Sequence, residues 1–188
     1  MIYKRKNMDI IIWNIFRILT FYKILFLKLI WVKIWLFSKS IIWHIPKIRY
    51  AKMINIWNNF QIWKYCRMTW NIEIWNNVFI NEFSSINAWP SIDSKITIWN
   101  YVMFWPWVLL QSSDHAFRKW EIYMQADWWK AKQIIIWNNV WVWARTIVLK
   151  WVTIWDNSVI WAWSVVTKDI PSWVVAVWNP AKVIKEII

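Results

Sequence analysis

"IIIWNNVWVWARTIVLKWVTIWDNSVIWAWSVVTKDI", residues 134–170, repeats itself every six residues. Ile136, Val142, Val148, Ile154, Ile160 and Val166 mark the period, and Trp137, Trp143, Trp155 and Trp161 each follow one of these aliphatics. The same step from Ile56 gives Ile62, Met68, Ile74, Ile80, Ile86, Ile92, Ile98, Phe104 and Leu110, all apolar. Two places before them sits a second, mostly smaller set: Ile54, Phe60, Cys66, Ile72, Val78 and Ser84, then Val140, Thr146, Val152, Ser158 and Ser164. A period of six is neither a helix nor a simple alternating strand. It suits short flat strands joined by sharp corners, three to a coil, with one large and one small inward residue on each face and a core continuous through the stack. All the positions from Ile56 to Leu110, Ile92 included, are expected to point inward.

A corner needs residues that accept positive φ, glycine first and asparagine or aspartate next. Yet the 188 residues hold 24 Trp and no Gly, where average usage of roughly 7% would give about 13. The pairs "WN" and "WD" at 57–58, 75–76, 99–100, 137–138 and 155–156 therefore read as Gly-Asn and Gly-Asp, with tryptophan standing at glycine corners. A UGA codon translated as tryptophan, although its own genome reads it as glycine, would produce this pattern, as would deliberate substitution. Trp141, one place before the inward Val142, is the exception expected to be a true tryptophan.

With those tryptophans read as glycine, residues 134–170 resemble the hexapeptide-repeat acyltransferases, and among them the sugar O-acetyltransferases. "WNNVWVWA" (137–144) is similar to that family's Gly-Asn-Asn-Val-Trp-Ile-Gly-Ala/Ser segment, and "IWAWSVVTKDIP" with "VWNPAKVIKEI" to its closing coil and cap. The resemblance covers roughly residues 50–188 and implies a mainly β fold, a left-handed parallel β-helix with a C-terminal cap. It also implies acetyl-CoA as co-substrate, with no metal, and a homotrimer with the active site between adjacent subunits.

The repeat breaks between Leu110 and Ile136, at "QSSDHAFRKWEIYMQADWWKAKQII" (111–135). A polar excursion from a solenoid is a place for function. It carries His115, whose imidazole can take a hydroxyl proton near neutral pH. The resemblance adds that the family's catalytic His lies in such a loop, 17 places after the Ile of a hexad, as His115 lies after Ile98. By the same resemblance Asn81, closing "NNVFIN", and more loosely Asp93, in "EFSSINAWPSIDSK", contact an acceptor sugar. Ala144, Ala162, Thr167, Lys168 and Lys182 match positions lining the CoA groove. The expected reaction is direct transfer of an acetyl group to a sugar or glycan-precursor hydroxyl. An amino-sugar acceptor or a non-catalytic scaffold are the alternatives. Cys66 falls in an inward slot, read as a buried, inert thiol rather than a nucleophile.

Residues 1–70 carry 13 Lys and Arg against one acid, Asp9, whereas 71–188 carry 10 basic and 9 acidic residues. The first 49 residues read as a separate basic segment, with "IIIWNIFRILTFYKILFLKLI" (10–30) as an amphipathic helix. Its charges interrupt every run before the roughly 18 apolar residues a spanning helix needs. It suits the surface of an anionic membrane, or a cap on the open end of the solenoid. No small-residue cleavage site follows, and a lone Cys fits a reducing compartment, so a cytoplasmic protein, peripheral on the inner membrane face, is expected. Clustered basic residues alone can hold nucleic acid, but no nucleic-acid motif accompanies them. A zinc site built on three histidines is excluded, because His44 and His115 are the only two.

Overall fold

The computed structural model describes residues 19, 22, 23, 25, 33–34, 41–42, 47–49, 53–115 and 129–188. Short strands rich in β-branched residues wind into three parallel sheets, the pleated surface on which such side chains pack well. The first face stacks Ile54–Ile56, Ile72–Ile74, Ile96–Ile98, Ile134–Ile136 and Thr153–Ile154. The second stacks Gln61–Ile62, Phe79–Ile80, Met103–Phe104, Trp141–Val142 and Val159–Ile160. The third stacks Arg67–Thr69, Ser85–Asn87, Leu109–Gln111, Ile147–Leu149 and Val165–Val166. The chain visits the faces in that order on every turn, which makes a parallel β-helix. Lys33–Ile34, Ile41–Ile42 and Lys47–Arg49 join the three ladders, so the sheets begin inside the segment expected to be separate. Leu19, Tyr22, Lys23 and Leu25 are helical, and the remainder of the expected N-terminal helix lies outside the described residues. Val174–Val177 and Lys182–Glu186 close the other end as an antiparallel pair on the second face.

Both inward sets are buried. Ile56, Ile62, Met68, Ile74, Ile80, Ile86, Ile98, Phe104 and Leu110 form one column with Ile136, Val142, Val148, Ile154, Ile160 and Val166. Each buried aliphatic contributes about 1.5–3 kcal/mol relative to exposure. The smaller inward residues between the second and third faces also supply donors across coils. Cys66 Sγ–H donates to the Asn81 carbonyl (3.1 Å), Ser84 Oγ to Trp105 (3.3 Å) and Thr146 Oγ1 to Trp161 (3.1 Å). At the corner between the first and second faces, Asn58, Asn76, Asn100, Asn138 and Asp156 form a ladder. The backbone N–H of each donates to the Oδ1 of the next at 2.8–3.2 Å, and three of the side-chain amides donate to the same oxygens at 2.9 Å.

Two expectations are corrected. Ile92 is 88% exposed, in the single turn Ile92–Ser94, not inward. On the first face Ile56 pairs with Ile74, Ile74 with Ile98, Ile98 with Ile136 and Ile136 with Ile154, steps of 18, 24, 38 and 18 residues. A regular coil takes 18, so the second step carries six extra residues; an insertion of one whole period keeps the count in phase while leaving the solenoid. The tryptophans directly after the inward aliphatics are not the left-handed corners either. Positive φ falls three places after the aliphatic, at Asn59, Asn77, Asn139 and Asn157 among others. Trp57, Trp75, Trp99, Trp137 and Trp155 instead stack ring on ring along one edge, centroids 4.7–5.6 Å apart. Six other tryptophans do hold left-handed backbone: Trp70, Trp107, Trp151, Trp163, Trp173 and Trp178, with φ from 61° to 88°. Left-handed backbone costs a residue with a Cβ about 1–2 kcal/mol. Six such corners are comparable with the whole net stability of a domain, about 5–15 kcal/mol.

Candidate active site

His115 ends the strand Ser113–His115, which leaves the third face and pairs antiparallel with Trp129–Ala131. The base of this excursion is fixed to the solenoid. Ser112 and Ser113 are buried; Ser112 N–H donates to Asn87 O (3.1 Å) and Lys132 N–H to Ser112 O (2.9 Å). Asn87 Nδ2 donates to Gln111 Oε1 (3.2 Å), and Gln111 Nε2 in turn to Ser113 O (3.0 Å). Asp114 is ion-paired to Lys150, which stands at the corresponding corner of the following coil. His115 itself is exposed.

The insertion 88–95 leaves at the same corner, between the third and first faces, one coil earlier. Buried Ser94 ties it off: its Oγ accepts Trp89 N–H (3.1 Å) and donates to Ser91 O (2.9 Å). Lys95 pairs with Glu73, and Ile134 N–H donates to Lys95 O (3.0 Å), joining this loop to the return of the excursion. Asp93, exposed in the loop, thus shares an edge with His115. Thr167 and Lys168, exposed after Val165–Val166, lie further along that edge.

Asn81, Ala144 and Ala162 lie elsewhere, at the corner between the second and third faces. Asn81 Oδ1 accepts Glu82 N–H (2.8 Å), and its backbone carbonyl takes the Cys66 thiol. Ala144 and Ala162 sit in successive coils, linked by Trp163 N–H to Ala144 O (3.0 Å). Indoles crowd them: the Trp143 and Trp161 rings lie tilted, 4.7 Å between centroids, and Arg145 lies over Trp163 at 4.6 Å. Lys182 opens the exposed terminal strand. The structure therefore gathers His115 and Asp93 on one edge and sets Asn81 with the two alanines on another. Sequence reasoning missed the Asp114–Lys150 pair, whose partners stand 36 residues apart with no local signal.

Cys66 is buried as expected, and burial, the largest cause, pushes its thiol up to about 11. Its Sγ faces the Asn81 carbonyl, not His115. Among the described residues no group of three His, Cys, Asp or Glu is placed to hold a metal ion, and no helix is long and apolar enough to cross a membrane.

A parallel β-helix of six-residue units defines a class of protein, and solved structures similar to this chain share it. The maltose O-acetyltransferase of Clostridium difficile 630 is 34% identical, over 68% of this chain and 66% of its own, with a TM-score of 0.60. A hexapeptide-repeat containing acetyltransferase of Vibrio cholerae is 22% identical, over 80% of this chain and 72% of its own, with a TM-score of 0.60. AntD, an N-acyltransferase from Bacillus cereus solved with dTDP and 3-hydroxybutyryl-CoA, matches in fold at 19% identity, over 86% of this chain and 87% of its own, with a TM-score of 0.71. Neither a protein-family model nor a curated protein matches the sequence. The chain belongs to the hexapeptide-repeat acyltransferases.

Proposed function

We propose that the protein transfers an acetyl group from acetyl-CoA to a hydroxyl of a sugar or glycan precursor, with His115 as general base. The observation that carries this reading is the anchored, exposed His115 on an excursion from a hexapeptide β-helix. His115 takes the proton of the acceptor hydroxyl as its oxygen attacks the thioester carbonyl. The tetrahedral oxyanion collapses, the C–S bond breaks, and the imidazolium returns its proton to the departing CoA thiolate. No acyl-enzyme is needed, in keeping with Cys66 being buried and protonated.

Asn81 and Asp93 are assigned to the acceptor. Ala144, Ala162, Thr167, Lys168 and Lys182 are assigned to CoA, the lysines as exposed partners for its phosphates. Because Asn81 and His115 stand on different edges of one β-helix, a homotrimer in which the Asn81 edge of one subunit faces the His115 edge of the next completes the site. The basic N-terminal segment is assigned to the inner face of an anionic membrane. A second reading has a specific support: the S84A mutant of AntD has been solved with dTDP-4-amino-4,6-dideoxyglucose and CoA, so an amino-sugar acceptor is the alternative.

The test is thiol release from acetyl-CoA in the presence of neutral sugars and of amino sugars. O-acetylated product, with a loss of about 10²–10⁴-fold in rate for His115→Ala, is expected. N-acetylated product alone would move the assignment to the second reading. A His115→Ala protein of full activity would end both.

A further inference from the structure

We infer that the natural chain carries glycine at 23 of its 24 tryptophan positions, all but Trp141. The inference stands without the acyl-CoA reading above.

Three independent observations meet here. The composition is doubly anomalous, with 24 Trp and no Gly. Trp70, Trp107, Trp151, Trp163, Trp173 and Trp178 occupy left-handed backbone, the conformation for which a residue without a Cβ is the usual choice. Among the described residues asparagine, the next residue in that preference, holds four more left-handed positions, Asn59, Asn77, Asn139 and Asn157, and Tyr65, Phe83, Tyr101 and Arg145 hold the other four. Finally, the indole N–H groups of Trp75, Trp105, Trp137 and Trp143 are buried with no hydrogen-bond partner. A buried indole nitrogen ordinarily finds one. Trp141 shares that last feature but not the corner position: it lies within the strand Trp141–Val142, where an aromatic residue packs well.

The test is peptide-level and intact mass spectrometry of the protein isolated from its own cells. Each glycine in place of tryptophan lowers the mass by about 129 Da, the difference between an indolylmethyl group and a hydrogen. The expected result is that decrement at 23 positions, the peptide carrying Trp141 alone unchanged. Tryptophan at the six left-handed positions would overturn the inference. The readout is independent of catalysis, so glycine in a protein that binds no CoA would leave it standing and remove the acyl-CoA reading instead.

Discussion

Asp156 terminates the side-chain ladder at the corner between the first and second faces, and its replacement tests whether that ladder holds the coils in register. Its Oδ1 accepts two donors from the preceding coil, Asn138 N–H at 2.8 Å and Asn138 Nδ2 at 2.9 Å. Asn138 Oδ1 accepts the corresponding pair from Asn100, and Asn100 Oδ1 the pair from Asn76. Asp156 is the only ionised member, so its bonds are charge-assisted, the stronger kind. Asp156→Ala leaves two part-buried donors without an acceptor. At about 1–1.5 kcal/mol for each, the expected loss is about 2–3 kcal/mol. For a chain of this length that corresponds to a fall of about 4–12 °C in Tm. Asp156→Asn keeps an acceptor oxygen in place and loses only the charge, so its fall should be less than half as large. Scanning calorimetry of the three proteins reads both values. The corner is remote along the coil from His115, so activity per folded molecule should persist below the transition. A Tm for Asp156→Ala within 1 °C of the parent would refute a structural role for the ladder, and equal falls for Ala and Asn would refute the account based on acceptors.

Trp173→Gly, at an exposed corner with φ of 61°, should raise stability by about 1 kcal/mol in denaturant titration, because the left-handed backbone no longer opposes a Cβ. Cys66 should resist alkylation at pH 8 in the folded protein and react at once on unfolding, followed by labelling and mass. Its folded pKa lies above the ordinary 9.0, at about 11, so its contribution is intact below pH 9. It is lost as pH rises across that interval, because the unfolded thiol ionises first; Cys66→Ala should flatten the alkaline slope of stability there. Lys150→Met releases Asp114 and loosens the strand ending in His115, and kcat should fall by at most about fivefold with KM unchanged, as suits an exposed ion pair. Exchanging the two residues should restore most of the rate, and a change confined to KM would assign Lys150 to substrate binding instead.

The sequence by itself determined the repeat. Burial of an aliphatic every six residues is a local demand, written into Ile56, Ile62, Met68 and their successors, and no distant contact is needed to read it. The excursion was equally legible, because a long polar stretch holding His115 interrupts an apolar period. Tertiary structure alone decided what the count of six leaves open. Ile92 keeps phase yet lies outside the core, since an inserted period is invisible to a periodicity and visible only to strand pairing. Likewise the left-handed corners stand two places beyond the tryptophans first expected to hold them, because where the chain bends depends on how each coil seats on the last. The placing of His115 and Asp93 on one edge and Asn81 on another has the same origin. An edge is set by accumulated length modulo a full coil, and the coil steps of 18, 24 and 38 residues are fixed by pairing between turns, not by any residue alone.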